Sequence, residues 1–194
     1  FLITPLLVVL ALGWVAPSWF AAHPGAAAAM VAVPYVMAGW ITRRATFTFV
    51  AAAMLVVGAL ERWSGERAAG ALLVLSAVWM IAAPARRWRV ALWAALGSYV
   101  AAGSRIVEAV DRAAGQPAFT GPWALAMWGA VGVAAGGAYL ASRLRTAEWP
   151  GTAASSLLPV FGILSASGLF LGVTVQLGLM ARHEIGAPAG RRLA

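Results

Sequence analysis

The chain contains no cysteine and no lysine, and among its 194 residues there are only six acidic residues and two histidines. Without cysteine there is no disulfide framework, and no thiolate to bind metal, anchor haem or act as a nucleophile. Without lysine no Schiff base can form, which excludes a retinal pigment of the usual kind. Gly-x-Ser-x-Gly, His-Glu-x-x-His, P-loop and glycine-rich dinucleotide signatures are also missing, so enzyme activity is not expected and cofactors stay unassigned. His23 and His183 are the only imidazoles, each placed after a span, and they read as ordinary solvated side chains rather than as haem or metal ligands.

The chain is instead rich in apolar residues. They make up 62% of it, against 10% charged residues, and the mean hydropathy is +0.84. A soluble domain carries about 25% charged residues. This is the composition of a polytopic membrane protein. All fourteen basic residues are arginine, giving a formal charge of +8. With the abundance of alanine and glycine this suggests GC-rich coding and a bacterial cytoplasmic (inner) membrane. Spread over short loops, the charge points to topology and lipid headgroups, not to nucleic acid.

A helical span needs about 20 residues, with 17 tolerated. That ruler gives seven candidates, within a range of six to eight: 1–22, 26–42, 45–61, 68–84, 90–110, 123–142 and 154–180. Residues 181–194 form a short polar tail. Phe1–Ala22 reads as a retained span rather than a signal peptide, because its apolar run is long and lacks a basic flank. Proline, glycine or charge sits at every break, as reversals at a membrane surface require. The fold expected is all-α: one up-and-down antiparallel transmembrane bundle with no soluble domain.

The second, fourth and sixth breaks hold nearly unopposed arginines (Arg43, Arg44, Arg86, Arg87, Arg89, Arg143, Arg145). The third and fifth mix Glu61, Glu66, Glu108 and Asp111 with Arg62, Arg67, Arg105 and Arg112. The positive-inside tendency then places the N-terminus in the cytoplasm. A shift of 43 residues lays Arg43-Arg44 on Arg86-Arg87, Met37 on Met80, Ala51-Ala52 on Ala94-Ala95 and Arg62 on Arg105. This reads either as a repeated hairpin with an arginine turn, or as shared topology.

Two features could carry function. Along span seven, Ser165, Gly168, Gly172 and Gln176 share one helical stripe opposite Ile163, Phe170, Leu171 and Leu177. The small residues suggest helix packing against Gly132 and Gly136 of span six. On span five, Arg105, Glu108 and Arg112 follow at i, i+3 and i+7, as an interfacial ion-pair ladder or, if deeper, a proton or cation relay. Two functions follow from these. One is a non-catalytic accessory, scaffolding or assembly subunit whose partners are membrane lipids and other membrane subunits or further copies of itself. The alternative is a small-solute or ion transporter with a polar path between spans five and seven, through Ser98, Ser104, Arg105, Glu108, Ser165, Thr174 and Gln176.

Overall fold

The structure, a computed structural model, describes residues 7, 11, 13–85, 88–113, 121–146 and 152–186. Among these there is no strand. The helices are α1 (Pro17–Ala22), α2 (Pro24–Thr42), α3 (Ala45–Arg62), α4 (Gly65–Ala85), α5 (Arg89–Ala113), α6 (Pro122–Thr146) and α7 (Thr152–Gly186). Six of them, α2 to α7, are long and apolar enough to cross a membrane. The protein is thus a polytopic helical bundle, compatible with about seven spans.

Much of the first apolar run, 1–22, lies outside the described residues. Within its described part the helix breaks at Ala16, which has φ −137° and ψ 58°. Pro17 follows, and a residue before proline is pushed out of the α region. His23 separates α1 from α2, donates its N–H to the Trp19 carbonyl and stacks its ring on the Trp19 indole. At the other end, α7 continues through 181–186, into the stretch read from sequence as tail, so His183 sits on a helical turn. Thirty-five residues make roughly 52 Å of helix, far more than a hydrocarbon core of about 30 Å requires.

The helices associate as three consecutive hairpins, α2–α3, α4–α5 and α6–α7. Each hairpin turn falls at one of the arginine-bearing breaks, so the three turns share one end of the bundle. In the first, Arg43 takes the left-handed conformation with φ 56° and donates its N–H to the Gly39 carbonyl, closing α2. Arg86 and Arg87 lie outside the described residues. The α4–α5 hairpin is central. α3 packs on its α5 side and α6 mainly on its α4 side, while α2 and α7 form the two margins.

Burial follows the 43-residue correspondence at some pairs and not at others. The paired alanines Ala51, Ala52, Ala94 and Ala95 are all buried, whereas Met37 is exposed and Met80 is not. Alanine dominates the interior, with Ala68, Ala69, Ala91, Ala102 and Ala134 fully enclosed. Close helix approach is the means of association open to a bundle whose surroundings are as apolar as its core. Many larger apolar side chains point outward, among them Val33 and Met37 on α2, Val74 and Ile81 on α4, and Phe170 and Leu177 on α7.

At the arginine end the core closes around Trp88, at the start of α5. Its indole is 1% exposed. It meets Trp40 and Trp79 edge-on, at 5.6 and 5.4 Å between ring centroids. The indole Nε1 donates to Thr48 Oγ1 at 2.9 Å, and Thr48 in turn donates to the Arg44 carbonyl. One residue therefore ties α2, α3 and α4 to α5. Gly39 makes this possible, since a Cβ there would stand 3.0 Å from both Thr48 Oγ1 and the Trp88 ring.

Candidate functional site

The α6–α7 contact uses the expected glycines unequally. A Cβ on Gly172 would stand 2.8 Å from the Met127 thioether, and one on Gly168 would stand 3.5 Å from Val131. Gly132 and Gly136 are exposed and have nothing within 4 Å. An equally tight contact belongs to Gly137, where a Cβ would fall 2.8 Å from the fully buried Phe161 ring and 3.0 Å from Met80 Sδ. Gly136 and Gly137 are adjacent, and one residue along a helix rotates the direction by about 100°. The stripe of exposed apolar residues expected on α7 is present at Ile163, Phe170, Leu171 and Leu177.

The polar residues of spans five and seven are held separately. Ser98, Ser104 and Thr174 each donate to a carbonyl of their own helix, at Ala94, Ala101 and Phe170. Gln176 is fully buried and Ser165 half-buried on α7. Arg105 and Glu108 form an ion pair at 2.7 Å on the surface of α5. The side chains of Asp111 and Arg112 lie outside the described residues. α6 stands between α5 and α7, which meet briefly where Tyr99 approaches Gly168. The hydroxyls thus serve their own helices.

At the end opposite the arginine turns the bundle opens along both flanks of α4. One groove, of about 590 Å³, lies between α4 and the α2–α3 pair; its floor is Gly25, Ala29, Gly58 and Ala59, and Leu75 and Val78 form a wall. Arg62 and Trp63 stand at its mouth. The other, of about 480 Å³, lies between α4 and α6 under Glu66 and Arg67. Val74 lines both, so α4 forms the ridge between them.

The first groove has a cause in the sequence. Gly25 and Gly58 bring the α2 and α3 backbones so close that a Cβ on Gly25 would be 2.7 Å from the Gly58 carbonyl oxygen. Small side chains on that floor project too little to reach α4. Both grooves are apolar channels, but only the first has a guanidinium and no carboxylate at its rim, chemistry suited to a hydrocarbon chain carrying an anionic group; at the second Glu66 stands beside Arg67. Glu61 pairs with neither Arg62 nor any other described base, and the same holds for Glu66 and Arg67. No sequence motif marks these grooves; the paired glycines at the far ends of α2 and α3 were the one available signal.

Among the described residues no three His, Asp or Glu side chains converge on a common point. Comparison with known protein families, curated proteins and solved structures finds no match to this chain.

Proposed function

We propose that this chain is a non-catalytic subunit of a bacterial cytoplasmic membrane, one that scaffolds or assembles a larger membrane complex by presenting α7 to a partner. The observation that carries this reading is the openness of α7. Its spanning segment is 17% buried, against 44% for that of α4. One broad side carries Ile163, Phe170, Leu171 and Leu177, each more than half exposed among the described residues. A lone helix face of this size gains close packing when a second membrane helix covers it. In this reading the arginine turns face the cytoplasm.

The transporter alternative needs a polar route between α5 and α7. The self-satisfied hydroxyls of both helices and the interposed α6 favour assembly over transport.

The absence of native cysteine makes a clean test possible. Single cysteines at Leu171, on α7, and at Val33, on α2, are cross-linked in native membranes with a thiol reagent, and the products are identified after gentle solubilisation. The expected result is a stoichiometric adduct with another membrane chain from Leu171 and none from Val33. A chain that migrates alone and forms no adduct from Leu171 removes the assembly reading. Flux assays on Glu108→Gln and Gln176→Leu variants then become the decisive measurement.

A further inference from the structure

The groove between α4 and the α2–α3 pair has features that an empty packing defect lacks. Its walls are hydrocarbon from Gly25, Ala29, Leu55, Ala59 and Val78, and its mouth holds Arg62. Arg62 has no carboxylate partner among the described residues. Beside it Trp63 is 45% exposed, in the position of an interfacial indole. From Leu55 to Arg62 the groove follows roughly 10 Å of helix axis, which fits within the roughly 15 Å depth of a single leaflet.

We propose that this groove holds one acyl chain of a phospholipid with a net negative headgroup, whose phosphate is bound by the Arg62 guanidinium. Depth and charge both select that occupant. A transmembrane helix would run past the groove, which ends within one leaflet, and an uncharged lipid would leave the guanidinium unmatched. Guanidinium binds phosphate through paired N–H donors, a geometry that a point charge does not offer. A zwitterionic headgroup would bring its own cation beside Arg62. The second groove is the internal control, because there Glu66 stands next to Arg67 and opposes a phosphate. Glu61 adjoins Arg62 in the chain but is not part of the groove lining. This site is independent of the α7 reading.

The test is native mass spectrometry of the full chain in detergent, titrated with phosphatidylglycerol or phosphatidylcholine. The unaltered chain should retain one phosphatidylglycerol and bind phosphatidylcholine about tenfold more weakly. Arg62→Gln should weaken phosphatidylglycerol about tenfold, the usual scale for a lost charge-assisted contact, whereas Arg67→Gln should not. Ala71→Phe, or Ala29→Phe if the first does not fold, should fill the groove and abolish retention. Equal retention by Arg62→Gln, or by a folded filled-groove variant, overturns the proposal. So does a filled-groove variant that breaks a dimer while lipid binding is unchanged, since the occupant would then be a second copy of the chain.

Discussion

The same helices meet very differently at the two ends of this bundle. At the arginine end, Trp88 fills the space where α2, α3, α4 and α5 converge, and its one polar atom is satisfied by Thr48. At the opposite end, Gly25 and Gly58 draw α2 and α3 together and leave α4 standing apart, with a groove on each flank. Trp88 joins several helices, whereas the Gly25–Gly58 pair joins two and leaves a third apart. Where this bundle closes is therefore decided by which residues stand at the crossing points.

Several substitutions would break or sharpen that contrast. The largest effect is expected for Trp88→Ala, which empties the closed end and should cost about 3–5 kcal/mol in denaturant titration in mixed micelles. Trp63→Ala at the open end should change stability by less than about 0.5 kcal/mol. If the two variants behave alike, the closed end is not the anchor of the fold. Gly58→Leu should come next, at about 1–3 kcal/mol, because its Cβ would sit 2.9 Å from the Gly25 carbonyl oxygen and drive α2 from α3. Gly132→Leu, entering open space, is the matched variant that should leave the unfolding midpoint almost unmoved.

Thr48→Val keeps the shape of the closed end but orphans the Trp88 indole N–H, for an expected loss of about 1–3 kcal/mol. Thr48→Ser, which retains an acceptor, should recover most of it. Ser76→Ala removes the bond from the Ser76 hydroxyl to the Ala95 carbonyl at 2.8 Å, which links α4 to α5. Interhelical bonds inside membranes are worth about 0.6 kcal/mol on average, so a larger loss would mean that this hydrogen bond, and not packing, holds the central hairpin. A small effect is also expected for Glu108→Gln, since the exposed Arg105–Glu108 pair should contribute less than about 1 kcal/mol.

Six of the spans were legible because a bilayer imposes a length and an apolar content on any helix that crosses it. Span two was expected at 26–42 and α2 occupies Pro24–Thr42; span three was expected at 45–61 and α3 occupies Ala45–Arg62. The outward face of α7 followed from the spacing of Phe170, Leu171 and Leu177. Its partner surface did not. Choosing Gly137 over its neighbour Gly136 needs the rotation of α6 about its axis, which depends on what α6 meets and is not written in a run of Gly, Ala and Val. The grooves escaped for a related reason: a void is defined by side chains from three helices that fail to meet, and no one segment encodes it.

What the sequence determined by itself is the class of molecule and the rhythm of its crossings. Apolar runs, absent cysteine and lysine, and arginine at alternate turns are local properties that a membrane reads directly. Only the tertiary structure decided that the crossings pair as three hairpins, that Trp88 locks one end, and that α4 stands clear of its neighbours at the other. Those outcomes depend on which side chains face each other across helices, and each of them turns on a rotation or a separation that composition and spacing leave free.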